Sequence, residues 1–131
     1  MPVNSEQNGL SPELLQKTYD LCYHFTASLM GRRKTRQLLD ASYHTVLPYF
    51  PGLRQFRLDE EGSLQILSPT PGDKELLAFA VWMQQFMKEV KQYMVGLGRL
   101  RIEALTEEIR PQLERVGFYE YFYQSAELDY S

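Results

Sequence analysis

A run of basic residues is the feature of this sequence whose residue types could do chemistry. Arg32, Arg33, Lys34 and Arg36 lie within five positions, directly after Gly31. Cations and free backbone N–H groups at the start of a helix can together bind a carboxylate or a phosphate. The helix macrodipole disfavours positive charge there by roughly a few tenths of a kcal/mol, which is a mild penalty. Three interpretations stay open: a solvated helix junction, which we favour, an acidic protein partner, or a phosphate or nucleic acid.

A similar pattern follows later in the chain, where Arg99 and Arg101 come after Gly98 as two of these cations come after Gly31. The apolar residues after each glycine also match at helical spacing. We interpret the two stretches as one helix–Gly–helix hairpin that is used twice. A basic position repeated at a junction is more simply a junction residue than a binding site. Arg99 and Arg101 nevertheless join the first cluster as candidate anion- or partner-binding residues.

Two aspartate–histidine pairs, Asp20 with His24 and Asp40 with His44, are spaced four residues apart. An aspartate one helical turn away can orient an imidazole and raise its basicity, which is half of a general-base arrangement. Such pairs are also common on helix surfaces, and no nucleophile is readable beside them. Cys22 is the single cysteine and there are two histidines, so the sequence predicts no metal site and no disulfide. We therefore predict no catalytic residues, no cofactor and no enzymatic activity.

Composition points to one soluble domain. The 131 residues carry a net charge of −3, which disfavours non-specific binding to nucleic acid or to an anionic membrane. The first ten residues lack the apolar segment of a secretory signal. The most apolar window of the sequence carries Lys88, Glu89 and Lys91, so we predict that it does not span a membrane. The prediction is a cytoplasmic protein with a flexible N-terminal tail over 1–10, one globular domain over 11–124 and a C-terminal tail over 125–131.

The spacing of apolar residues predicts an α+β fold that is mostly helical. Ser11 and Pro12 indicate a helix start, and Gly31 suits the position just past the end of this first helix. A second helix follows up to Leu47. The alternation of apolar and polar residues over 56–66 predicts a β-hairpin, which lies between the two helix–Gly–helix hairpins.

The third predicted helix, over about residues 73–96, is the longest element. Its apolar positions form a stripe too wide for a helix with a single neighbour. The helix should therefore lie at the centre of the domain, or face both the domain and a second chain. A fourth helix is predicted over 99–116, with a kink at 107–111 because Pro111 removes one backbone donor.

Aromatic residues crowd the C-terminal part of the chain, where Tyr119, Tyr121, Phe122 and Tyr123 follow Phe118. No single helix face can bury all five side chains, so part of this surface is exposed to solvent or covered by another chain. Tyrosine is enriched at protein interfaces because it combines an apolar ring with a polar tip. Two interpretations therefore stay open for these residues: an interface with another chain, or a lid that covers the core.

These features predict a small non-catalytic protein with an adaptor-like or regulatory role in protein–protein interaction, self-associating as a homodimer. The missing catalytic constellation, the wide stripe and the surplus aromatic residues support this function. The identity of the partner is not readable. The alternative function is a regulator that binds an anionic ligand or nucleic acid through Arg32, Arg33, Lys34 and Arg36.

Overall fold

The computed structural model describes residues 9–128 and Tyr130, and it has the predicted α+β fold that is mostly helical. Its helices are α1 Pro12–Val46, α2 Asp73–Tyr93, α3 Ile102–Leu105, α4 Arg110–Val116 and α5 Phe118–Gln124, and its strands are β1 Phe56–Leu58 and β2 Leu64–Ile66. Short 3-10 turns occupy Pro51–Gln55, Glu107–Ile109 and Ser125–Glu127. Of the two predicted tails, residues 1–8, 129 and 131 lie outside the described part. Leu10 and Ser125, which the sequence placed in the tails, are buried.

Helix α1 consists of two helical arms, 12–30 and 32–46, that meet at Gly31. This residue has φ 88° and ψ 164°, a conformation that is open to glycine and strained for other residues. Thr35 stabilises the start of the second arm, because its hydroxyl donates a hydrogen bond of 2.7 Å to the Gly31 carbonyl. The predicted helix break at Gly31 is therefore present.

Both arms of α1 contact Trp82, which lies in the middle of α2. The Tyr19 ring, on the first arm, is 5.9 Å from the Trp82 ring between centroids. The indole N–H donates to the Leu39 carbonyl at 3.2 Å and to the Ser42 hydroxyl at 3.1 Å, both on the second arm. One straight helix would separate Tyr19 from Ser42 by roughly 35 Å. The chain must therefore turn back on itself at Gly31 to bring both arms to one side chain.

Helix α2 is the third helix of the sequence prediction, and it lies at the centre of the domain. Every residue from Ala78 to Met83 is buried, and no residue from Glu75 to Lys91 is exposed. The helix packs against α1, the Pro51–Gln55 turn and α5. The wide apolar stripe is explained by this enclosure within its own domain, so it does not argue for a second chain or a homodimer.

The region predicted as one kinked fourth helix is divided into α3, the Glu107–Ile109 turn and α4. The division falls where the kink was predicted, because Pro111 begins a new helix, where its missing N–H costs little. Eight non-helical residues, Met94–Arg101, join α2 to α3, and in this junction Gly96 rather than Gly98 has a positive φ, of 107°. The two glycine junctions therefore differ, and the internal repeat stays a hypothesis.

The β-hairpin is antiparallel as predicted, with Phe56 opposite Ile66 and Leu58 opposite Leu64. Asp59 organises its turn, because one carboxylate oxygen accepts hydrogen bonds of 2.9 Å from two backbone N–H groups of the turn. The phenol of Tyr19 donates to the carbonyl of Gly62, which fixes the turn against the first arm of α1.

We expect Gly31→Ala to lower the free energy of unfolding by about 1–3 kcal/mol, because alanine is strained at this φ and ψ. Gly98→Ala is the matched control: an added Cβ meets no atom within 4 Å at either position, and Gly98 has no positive φ. Gly98→Ala should change stability by less than about 1 kcal/mol. Urea unfolding followed by circular dichroism measures both. Equal losses would contradict the assigned strain at Gly31.

Candidate anion-binding site

The Gly31 junction and the C-terminal end of α2 lie at the same end of the molecule. From the contacts at Trp82, both arms of α1 run roughly 17 Å to Gly31, and α2 runs a similar length to Tyr93. The Lys34 ammonium lies 4.2 Å from the centre of the Tyr93 ring, which joins the two elements by a cation–π contact. We call this end, formed by segments 29–36 and 91–101, the basic end.

Charge is strongly segregated onto the basic end. Its two segments contain seven of the fourteen Lys and Arg residues of the chain and none of its seventeen Asp and Glu residues. The net charge of −3 therefore does not describe these two segments, although carboxylates from other segments, those of Asp40, Glu60, Glu61 and Glu103, lie beside some of their cations. A local field of one sign attracts anionic ligands even when the whole chain is acidic.

A cavity of about 690 Å³, which we call the basic cavity, opens between α2, the Met94–Arg101 junction and the C-terminal segment. Lys88, Lys91, Arg99 and Arg101 contribute its charged side chains, and none of its lining residues is Asp or Glu. The other lining residues are Gln84, Met87, Gln92, Gly98, Leu100, Ile102, Phe122, Tyr123 and Ala126. The cavity therefore combines four cations with an apolar floor.

Helix periodicity sets the α2 side of the cavity. Gln84, Lys88 and Lys91 follow one another at spacings of four and three, which places them on one face of the helix. The Gln84 amide donates to the Phe122 carbonyl at 2.8 Å, so this face is held against α5. Lys88 lies 3.5 Å from the Ala126 carbonyl, close to the wall formed by the last turn.

A tyrosine–glutamate–arginine group lies at the edge of the basic cavity. The Tyr123 phenol donates to Glu103 Oε1 at 2.5 Å, and Arg101 Nε lies 3.5 Å from the same oxygen. Partial burial and the carboxylate acceptor raise the pKa of Tyr123 to about 12. Burial alone would raise the pKa of Glu103, but the hydrogen bonds and the Arg101 charge outweigh it and lower that pKa. Glu103 thus offsets part of the charge of Arg101.

The remaining cations of the cavity have no such partner. Within residues 9–128 and Tyr130, no salt bridge includes Lys88, Lys91 or Arg99. Sequence reasoning missed the two lysines as site residues. The spacing of Gln84, Lys88 and Lys91 places them on one face of α2, but this face indicates a site only once Arg99 and Arg101 pack beside it.

The predicted basic cluster after Gly31 lies in a different place. Arg32, Arg33 and Arg36 line a separate surface depression that they share with Glu60 and Glu61 of the hairpin turn. The structure therefore divides the predicted set: these cations are not in one site with Arg99 and Arg101. The carboxylates of this turn therefore place negative charge beside the three arginines.

Arg36 and Lys34 each have a partner within the chain. Arg36 forms an i, i+4 ion pair with Asp40, whose carboxylate is 3.4 Å from the guanidinium. Lys34 lies over Tyr93, as described above. Three of the four predicted cations, Arg32, Arg33 and Arg36, thus share one depression while Lys34 lies elsewhere, and anion or partner binding by this cluster stays a prediction.

The C-terminal aromatic residues mostly close the core. Tyr119 and Phe122 are buried, and the Tyr119 hydroxyl lies 2.6 Å from that of Thr106. Tyr121 is half-buried, and its phenol donates to both carboxylate oxygens of Asp73 at 2.7 and 2.8 Å. Tyr123 is 41% exposed and is the most accessible of the four predicted interface residues.

Neither predicted aspartate–histidine pair is formed. The His44 ring contacts the backbone carbonyl of Asp40 at 2.8 Å rather than its carboxylate. The Asp20 carboxylate instead accepts a hydrogen bond of 3.1 Å from the Gln16 amide. Cys22 is fully buried, and burial raises the pKa of its thiol to about 12.

Two further features are absent from residues 9–128 and Tyr130. No group of three or more His, Cys, Asp and Glu side chains in that part of the chain is arranged to hold a metal ion. None of its helices combines the length and apolar composition needed to cross a bilayer.

We expect Tyr123→Phe to raise the pKa of Glu103, because the carboxylate loses a hydrogen-bond donor. A carboxyl with a lowered folded-state pKa stabilises the fold above the usual glutamate range, and this contribution is lost as pH falls through the folded value. The stability difference between wild type and Tyr123→Phe should therefore shrink from neutral pH to about pH 3. NMR titration of the Glu103 carboxyl and urea unfolding measure the two effects.

Tyr49→Phe is the control for this pH dependence, because the Tyr49 phenol donates to a backbone carbonyl, that of Tyr130, and not to a carboxylate. Its stability difference should stay constant over the same pH range. A Glu103 pKa unchanged by Tyr123→Phe would show that the Tyr123 hydrogen bond does not contribute to lowering it.

Comparison with known proteins assigns no relationship. No protein-family model matches the sequence, and no curated protein or solved structure shows significant similarity to it. The function has to be inferred from the side chains of the chain itself.

Proposed function

We propose that this protein binds a small anionic ligand, carrying phosphate or carboxylate groups, in the basic cavity. The observation that carries the proposal is the lining of the cavity: Lys88, Lys91, Arg99 and Arg101 with no carboxylate residue among them. Four cations held around one space repel each other, and an anion relieves that repulsion while gaining charge-assisted hydrogen bonds.

The size of the cavity fits a small molecule. Ligand pockets commonly enclose roughly 300–1,000 Å³, and this cavity of about 690 Å³ falls within that range. Its charged groups come from two directions, with Lys88 and Lys91 on α2 and both arginines on the segment that leads into α3. An anion between them would be held from both sides.

The floor of the cavity adds a second property. Met87, Leu100, Ile102 and Phe122 are apolar lining residues, and the amides of Gln84 and Gln92 add neutral donors and acceptors. Pockets that combine apolar walls with a few convergent polar groups fix the orientation of a ligand as well as its charge. The favoured ligand therefore carries its anionic groups on an apolar or planar body.

The alternative site after Gly31 has less support. Its cations share their depression with Glu60 and Glu61, and Arg36 is paired with Asp40. An anion there would compete with carboxylates that the chain already supplies. In the basic cavity only Arg101 contacts a carboxylate, that of Glu103 at the edge, and within the described residues no salt bridge includes Lys88, Lys91 or Arg99.

We expect Lys91→Gln/Arg99→Gln to weaken binding of inorganic pyrophosphate by about ten-fold or more, because each charged hydrogen bond contributes roughly 1.5–3 kcal/mol. Isothermal titration calorimetry at low ionic strength measures the affinity. Wild-type binding should also weaken as salt is added, because ions screen the attraction.

Arg54→Gln/Arg57→Gln is the matched control, since it removes the same charge from two exposed positions outside the cavity. Its affinity for pyrophosphate should stay close to wild type. Equal weakening in both double variants would show an effect of net charge alone, and no saturable binding by the wild type would reject the proposed function.

A further inference from the structure

Three large apolar side chains are exposed at the basic end. Leu29 is 42% exposed, Tyr93 is 53% exposed and Val95 is 98% exposed. Leu29 follows the buried Thr26 by three positions on α1, and Tyr93 follows the buried Val90 by three positions on α2. These two side chains continue the inward rows of their helices beyond the point where the bundle ends. We call the three residues the apolar tip.

Val95 occupies the most prominent position of the tip. It lies in the Met94–Arg101 junction, next to Gly96, whose φ of 107° turns the chain. A Cβ added to Gly96 or to Gly98 would meet nothing within 4 Å, so the junction has open space around it. A valine that is almost fully in water, at the apex of an open loop, gains from any apolar environment that covers it.

Cations lie next to the apolar tip. Arg32 and Arg33 are exposed close to Leu29 in the chain, and Lys34 lies over Tyr93. The tip lies in the two segments that contain no Asp or Glu. Glu60 and Glu61 share a depression with these arginines, but within the described residues no salt bridge joins Arg32 or Arg33 to either carboxylate, so both cations stay available to an extended anionic surface. The result is an exposed apolar apex with cations next to it, both in the chain and across the Lys34–Tyr93 contact.

We infer that the apolar tip docks on the surface of an anionic lipid bilayer. Val95 and Leu29 would enter the boundary between headgroups and acyl chains, and Tyr93 would lie at headgroup level with its hydroxyl towards water. Arg32, Arg33 and Lys34 would face the lipid phosphates, where each cation adds to the attraction.

The charge and shape of the tip favour a bilayer over a protein partner. A bilayer surface supplies negative charge over a wide area, which matches an exposed valine and three cations, Arg32, Arg33 and Lys34, that come from a different segment of the chain. The inference does not rest on the basic cavity, because Leu29, Tyr93 and Val95 are not among its lining residues. Binding through a few apolar residues and a few cations should be reversible and sensitive to salt.

The test is cosedimentation of the full chain with vesicles of phosphatidylcholine alone or mixed in equal parts with phosphatidylglycerol. We expect binding to the anionic vesicles only, and Val95→Asp should lower the partition coefficient by about ten-fold. Leu67→Asp is the matched control, since Leu67 is 47% exposed just after β2 and outside the tip. It should bind vesicles like wild type.

A second pair of variants tests the charged part. Arg32→Glu/Arg33→Glu should abolish binding to the anionic vesicles, whereas Arg54→Glu/Arg57→Glu, with the same charge change elsewhere, should retain most of it. Circular dichroism confirms that each variant is folded. Equal binding to neutral and anionic vesicles, or binding by Val95→Asp equal to wild type, would overturn the inference.

Two further measurements separate the possible outcomes. Pyrophosphate titration of Val95→Asp reports on the cavity alone, so loss of vesicle binding with intact pyrophosphate binding assigns separate roles to the two surfaces. Light scattering over a range of concentrations detects self-association. A dimer that Val95→Asp abolishes, together with no vesicle binding, would assign the apolar tip to a second copy of the chain and reject the bilayer.

Discussion

The contact of Trp82 with both arms of α1 is the interaction on which the rest of the structure depends. The buried indole N–H needs an acceptor, and it finds the Leu39 carbonyl and the Ser42 hydroxyl on one arm, while its ring packs beside Tyr19 on the other. These contacts require α1 to turn back at Gly31. They also surround the middle of α2 with protein, so the largest apolar side chains of the chain are removed from water in one core.

This geometry decides the electrostatics of the molecule. Because both arms and α2 run from Trp82 towards the same end, two cationic segments that are far apart in sequence become neighbours. Their like charges are tolerated because Lys34 lies over the Tyr93 ring and Arg101 contacts Glu103, while Glu60 and Glu61 share the depression with the cations after Gly31. The remaining cations lie at the basic cavity and next to the apolar tip, which are the two surfaces for which we propose anionic ligands.

One short segment contributes to both of these surfaces. The Met94–Arg101 junction carries Val95 outward to the tip and directs Arg99 and Arg101 to the cavity. Such a segment can present side chains in opposite directions because it is not helical and its glycines add conformational freedom. Binding residues are often found on loops that a rigid scaffold positions, and here the scaffold is the enclosed helix α2.

Local chemistry in the sequence determined the element types and several of their limits. The Ser11 cap, the break at Gly31, the alternation of the β-hairpin and the helix start at Pro111 each follow from the properties of a few neighbouring residues. Only the tertiary structure decided which surfaces face each other. Burial depends on neighbours that are distant in sequence, so the pattern of α2 could not tell a central helix from one that also faces a second chain. For the same reason Lys88 and Lys91 became candidate site residues only when the segment carrying Arg99 and Arg101 packed beside them. Tyr119 and Phe122 likewise became core residues only when α5 closed over α2.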